Sequence, residues 1–204
     1  MTAPAPDPQP TDPGPPQPPP WLTRSLSYME HVARVCATPG GRADLASCQS
    51  PRELSEPFRM LPHVRSRIPG HHPDTRLAYL ATTAWYAAHA PNPRLTTPGQ
   101  PALYQPEHGN LGWSLARAVR AGLFQPDRAG ELLQDLVRKR RTDHLVRDLQ
   151  PAIHRLATER VPLSWPRLLC DLTQWRFKRL DIADRWMNAH YSYTPRPTQE
   201  ESSA

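Results

Sequence analysis

Glu131-Leu132-Leu133-Gln134-Asp135-Leu136-Val137-Arg138-Lys139-Arg140-Arg141 decides how this chain is read. Leu132, Leu133, Leu136 and Val137 stand at i, i+1, i+4 and i+5, one apolar stripe of a helix. Four cations follow without interruption. On helical geometry they fan around about one full turn, so at least two face solvent or an anion rather than a core. A solvated helix end accounts for the run taken alone, because cations also suit the negative end of the helix dipole.

Working outward, the same period recurs. Downstream, Leu145, Leu149, Ala152, Ile153 and Leu156 keep helical register over 142–160, and Pro151 inside that pattern predicts a kink or break near Gln150. Ser164 is a candidate N-cap with Trp165-Pro166 in the first turn. Leu168, Leu169, Leu172 and Trp175 form that helix's inner face, and Arg176, Lys178 and Arg179 crowd its end. Residues 181–191 read as a last helix with Ile182, Trp186 and Ala189 inward. Upstream, 111–121 reads as a short helix with Leu111, Leu115, Ala118 and Val119 inward, Arg117 and Arg120 elsewhere, and Gly122 as its stop. Residues 75–89, capped by Asp74, carry the clearest stripe: Leu77, Leu80, Ala81, Ala84, Trp85 and Ala88. That makes a core helix in which either Trp85 or Tyr86 faces away. Leu22, Leu26, Met29, Val32, Ala33 and Cys36 make 21–36 amphipathic, ended by Pro39-Gly40-Gly41. Ser50-Pro51-Arg52-Glu53 is a capping box, after which Pro57, Pro62 and Pro69 divide the chain into short pieces carrying Arg59, Arg65 and Arg67.

No segment alternates as a strand must, so the expected class is all-α: a two-lobed helical bundle of about eight helices. Of 27 prolines, ten lie between Pro4 and Pro20. Residues 1–20 therefore read as an extended, disordered arm without the apolar core of a signal peptide. The expected units are this arm, an N-terminal lobe over 21–108 that ends in a long Pro-rich loop (90–108), a C-terminal lobe over 109–193, and a disordered tail over 194–204. No apolar run approaches a membrane span. Cys36, Cys48 and Cys170 are an odd number without a CxxC, which reads as free thiols in a reducing cytoplasm.

Net charge is +6 and the pI about 9.6, with Arg far ahead of Lys. Guanidinium forks match phosphate, so nucleic acid is the partner this balance favours, although GC-rich coding also enriches Arg and Pro. Catalysis needs a constellation, and none is evident. His63 and His71-His72 show no HxxxH or HExxH spacing. There is no glycine-rich phosphate loop and no GxSxG. The acids are too scattered for a two-metal centre. The expectation is a protein without catalytic residues, metal or cofactor. Cationic helix ends do recur: Arg138 to Arg141, Arg147, Arg155 and Arg160, then Arg176, Lys178 and Arg179. Gathered on one face of a bundle, they would track a phosphate backbone without reading bases.

Leu163-Ser164-Trp165, then Leu168-Leu169-Cys170-Asp171-Leu172-Thr173-Gln174-Trp175, Asp184-Arg185-Trp186 and Tyr191 resemble the closing signature of the CasB family. These are the small subunits of the type I-E CRISPR Cascade complex. Leu111-Gly112-Trp113-Ser114-Leu115-Ala116-Arg117 is similar to that family's LG-x-x-LA segment, and Leu136-Val137-Arg138 with Arg141-Thr142 to its basic helix. Order and spacing agree over 111–191, and more loosely over 50–61. The resemblance implies a non-catalytic, all-helical, two-lobed subunit, two copies of which pack head to tail in a particle built on crRNA. Its partners would be the backbone and large subunits, the crRNA, and target and non-target DNA. A basic groove would hold the displaced non-target strand and support the crRNA–target duplex, stabilising the R-loop. On this match Arg138 and Arg141, with Lys139 and Arg140 in the same run and Arg147 following, are the leading backbone contacts. Lys178 and Arg179 align with a later basic run, and Arg117 follows the LA pair. Arg59, Arg65 and Arg67 lie near an N-terminal basic region. The arm, the 90–108 loop and Pro151 depart from the pattern. So does Leu45-Ala46-Ser47-Cys48, which lacks the arginines expected before the capping box. The competing reading is a helical scaffold whose basic face docks on an acidic protein.

Overall fold

Apolar spacing and local start and stop signals give nine α-helices and no strand among the described residues, 18–70, 72–89 and 109–193, of the computed structural model. They are α1 (Pro20–Cys36), α2 (Gly41–Leu45), α3 (Pro51–Ser55), α4 (Leu61–Val64) with a 3-10 turn Arg65–Arg67, α5 (Pro73–His89), α6 (Leu111–Arg120), α7 (Pro126–Arg138), α8 (Thr142–Thr158) and α9 (Trp165–Tyr193). The class is all-α, as the periodicity predicts. No described helix is long and apolar enough to cross a membrane. The arm expected over 1–20, apart from its last three residues, the 90–108 loop, the 194–204 tail and His71 lie outside the described residues.

Two ends are made by the expected residues, Ser50 with Glu53 and Gly122, and a third by Asn110, which the sequence reading does not single out. The Ser50 hydroxyl accepts from Glu53 N at 3.3 Å, and Glu53 Oε2 accepts from Ser50 N at 2.7 Å, closing the capping box of α3. Asn110 Oδ1 accepts from Trp113 N at 3.2 Å to cap α6. Gly122, at φ 71°, supplies the left-handed residue beyond its C-terminus.

α5 is the central helix, packed by α1, α2, α8 and α9. Its burial runs from Ala78 to Trp85 and includes Ala87, so it is wider than the predicted stripe. Alanines and threonines allow this close approach on every side. Of the two buried threonine hydroxyls, that of Thr83 is paired: its Oγ1 donates to Tyr79 O at 2.8 Å and shares a 2.7 Å bond with Tyr28. Trp85 faces the core and Tyr86, half-buried, meets Trp165 edge-on at 5.7 Å.

α9 is the spine against which α1, α5, α6, α7 and α8 all pack. Trp175 and Trp186 are fully buried and stack at 5.2 Å. Truncation of such a ring costs about 3–5 kcal/mol. Trp186 Nε1 donates to Asp171 Oδ2 at 2.7 Å and Arg185 Nη2 to Oδ1 at 3.0 Å. Burial pushes the Asp171 carboxyl up, and these two donors pull it back. One buried cluster runs continuously from Tyr28 on α1 to Trp186 on α9.

Two expectations need correction. The four-cation run is not helical throughout: α7 ends at Arg138, and Lys139 is extended (φ −70°, ψ 119°) with its N–H on Leu136 O. Arg140 lies in the connector and Arg141 is the extended N-cap of α8. Pro151 does not break α8, which continues to Thr158. Pro151 and Arg147, whose carbonyl the ring deprives of its helical donor, are both exposed, so water can take that donor's place. The helices expected at 165–175 and 181–191 follow one another inside α9 across a kink at Lys178 (φ −124°, ψ 28°). Arg176, Lys178 and Arg179 thus crowd the end of the first of them, as the sequence predicts.

Candidate nucleic-acid interface

The C-terminus of α7 is tied to the middle of α9 by two side-chain-to-backbone bonds. Trp175 Nε1 donates to Lys139 O at 2.8 Å, and Arg179 Nη1 donates to Val137 O at 2.8 Å. Both satisfy carbonyls that a helix end leaves without partners. This junction brings the segment Arg138 to Arg141 beside the stretch of α9 that carries Arg176, Lys178 and Arg179, and Lys139 shares Asp148 with Arg147 of α8. The N-terminus of α5 adjoins the same patch: Arg176 contacts the His72 ring, and the Asp74 charge reaches Arg141.

Carboxylates partner four of the first five cations. Arg138 pairs with Asp135 at 3.5 Å, Lys139 with Asp148 at 2.8 Å, Arg141 with Asp143 at 2.7 Å, and Arg147 with Asp148 at 2.8 Å. The hydrogen bond from Arg147, then that from Lys139, holds the Asp148 carboxyl at about 2. The bond from Arg141 likewise holds Asp143 below the usual range. Arg140 and Lys178 are exposed and have no acidic partner among the described residues. The exposed pairs of Arg138 and Arg141 are each worth about 0–1 kcal/mol, so a phosphate can displace those carboxylates at small cost; Lys139 and Asp148 are half-buried.

The remaining predicted cations lie elsewhere. Arg59 is bidentate to Asp44 at 2.8 and 3.1 Å, beside His63. Arg117 lies 4.9 Å over the Trp113 ring on α6. Neither is tied to the α7–α9 patch by a contact among the described residues. Arg65 and Arg67 are exposed on the 3-10 turn, and Arg67 lines a groove between α1 and α9. Arg24 and Trp21 on that groove, and His72 beside the patch, were not among the predicted site residues. Arg24 stands three residues after Trp21 on the polar face of α1, a spacing visible in the sequence but mute without the facing helix.

No group of three or more His, Cys, Asp or Glu side chains among the described residues is arranged to hold a metal ion. The three cysteines are buried and unbridged.

A family model described as CRISPR-associated protein Cse2 matches residues 41–191. Among curated proteins none matches. Of solved structures, a chain of a CRISPR RNA-guided surveillance complex superposes at TM-score 0.67 and 23% identity, over 85% of this chain and 94% of that one. The crystal structure of a Cse2-family CRISPR-associated protein from Thermus thermophilus gives 0.61 at 16% identity, over 82% and 97%. That of M. ruber CasB gives 0.60 at 17%, over 83% and 93%. At these identities the likeness establishes the shared fold.

Proposed function

This chain belongs to the CRISPR-associated Cse2 family, and from that premise we propose that it is a non-catalytic small subunit of a type I-E CRISPR Cascade complex. Its α7–α9 patch holds nucleic-acid backbone. The ligands are the displaced non-target strand and the crRNA–target duplex, and a second copy lies head to tail in the same particle. One observation supports the backbone role above the others: Arg179 and Trp175 pin the end of α7 to α9, so that cations from three helices share one patch. Arg140 and Lys178 meet phosphate first. Arg138, Lys139, Arg141 and Arg147 exchange a carboxylate for it. R-loop opening trades one duplex for another of similar stability, so a modest gain from holding the freed strand tips the balance.

Salt titration of the full chain on a labelled single-stranded oligonucleotide tests this. Replacing Arg140 and Lys178 by Ala is expected to lower the slope of log K against log salt by about 1.4, or about 0.7 per lost contact. Melting temperature should be unchanged. An unaltered slope and affinity would rule out backbone binding by this patch. A second reading, docking on an acidic protein, draws on Phe177 and Leu180, which are 78% and 68% exposed beside Lys178. It requires the same double variant to keep its DNA affinity and lose assembly with protein partners.

A further inference from the structure

α1, the 3-10 turn, the start of α5 and the first half of α9 enclose a groove of about 780 Å³, a size typical of small-ligand sites. Trp21, Arg24, Arg67, Thr75, Thr173 and Gln174 are among the side chains that face it, and no carboxylate does. Arg24 and Arg67 are exposed and have no acidic partner among the described residues. The electrostatics therefore invert those of the α7–α8 junction, where the cations arrive already paired. Arg24 lies close enough to Tyr79 at the groove wall for its charge to oppose the effect of burial on that phenol.

Trp21 is 52% exposed on the rim. Its backbone carbonyl accepts from the Cys170 thiol at 3.8 Å, which ties the start of α1 to α9. The Arg167 guanidinium lies 5.5 Å from the ring centroid. A large ring held open to solvent, backed by one guanidinium and flanked by two others, is the arrangement on which single-stranded bases stack. The groove adjoins the patch at the start of α5, where Thr75 lines the groove and His72, three residues earlier, contacts Arg176. Trp21 and Arg24 lie before residue 41, where the family match begins.

We infer that this groove seats one unpaired nucleotide of a single strand, with its base stacked on Trp21 and its flanking phosphates held by Arg24 and Arg67. The inference rests on the proposed nucleic-acid role and adds to it a subsite that contacts a base. The interior of a duplex cannot occupy it, because each base there is already stacked on both faces by its neighbours. The contact is sequence-tolerant, since every base has such a face.

The test uses the full chain and fluorescence polarisation with two labelled strands of equal length, oligothymidylate and its abasic counterpart. Trp21→Ala should bind oligothymidylate about tenfold more weakly with an unchanged salt slope, and bind the abasic strand as the wild type does. Arg24→Ala with Arg67→Ala should lower the slope by about 1.4 on both strands. Circular dichroism melts confirm that each variant folds. Equal losses on the two strands for Trp21→Ala, or no loss on either, overturn base stacking. An unchanged slope in the arginine double variant overturns the phosphate contacts. Thymidine monophosphate displacing the strand at its own micromolar level would show a mononucleotide site and overturn the strand assignment. If Arg140→Ala with Lys178→Ala binds normally while Trp21→Ala fails on oligothymidylate alone, the groove stands and the α7–α9 reading falls. The reverse pattern removes only the groove.

Discussion

Asp148 is the carboxylate whose removal most directly asks whether the α7–α9 patch meets phosphate. It lies 2.8 Å from Lys139 and 2.8 Å from Arg147, so one charge occupies two cations on different elements. A phosphate oxygen bonded to the far side of Lys139, about 2.8 Å from the ammonium, would stand about 6 Å from this carboxylate. Their repulsion is about 0.7 kcal/mol in a water-like dielectric, and about 0.5 kcal/mol once 50 mM salt screens it. Asp148→Asn should therefore bind single-stranded DNA about twofold more tightly at that salt. Freeing two cations should also steepen the salt slope, by up to about 1.4. The loss of two pairs, that to Lys139 half-buried, lowers stability by about 1 kcal/mol each. The assay is fluorescence polarisation at salt steps from about 50 to 200 mM, the span over which phosphate contacts dominate. Glu159→Gln is the control, because Glu159 sits about 16 Å further along α8. An Asp148→Asn chain that melts normally and binds no more tightly than wild type refutes the reasoning: phosphate then does not come to Lys139 and Arg147.

Two further outcomes follow from packing and from pH. Gly112→Ala sets helix propensity against close packing. Alanine favours an exposed helix by about 1 kcal/mol, but a Cβ here would run into the Trp186 carbonyl oxygen and lie 2.7 Å from its carbonyl carbon and 3.0 Å from its Cα. Those gaps fall about 1 Å short of carbon–carbon contact, so α6 must lift from α9. A net loss of about 1–3 kcal/mol is expected in urea unfolding, and a stabilised variant would show that the two helices are not in this contact. The Asp148 carboxyl falls from 3.8 to about 2 on folding. A depressed carboxyl contributes stability that is complete above pH 4 and disappears as pH falls toward 2. The stability gap between wild type and Asp148→Asn should close over that window. A constant gap from pH 5 to pH 2 would mean that the pairs to Arg147 and Lys139 do not form.

Helices, their inward faces and many of their ends were legible from local pattern. The 3.6-residue period that placed Leu133, Leu136, Leu145, Leu149, Leu168 and Leu172 inside is a property of neighbours along the chain, and all six are buried. The Ser50–Glu53 box and Gly122 act over three or four residues, so the sequence determined them as well. Pro151 misled because the rule for proline in a helix depends on which side of the helix it occupies, and only the packed bundle sets that. The charge pattern followed the same logic. The sequence placed cations at helix ends, but Lys139 meets Asp148 through α7–α8 packing, and Arg24 faces Arg67 and α9 across a groove. Coulomb energy and solvent access depend on distance through space. Arg138, Arg141 and Arg147 pair with acids one to three residues away, which the chain itself sets; tertiary structure decided that Lys139 shares Asp148 and that Arg24 and Arg67 line one groove open to a strand.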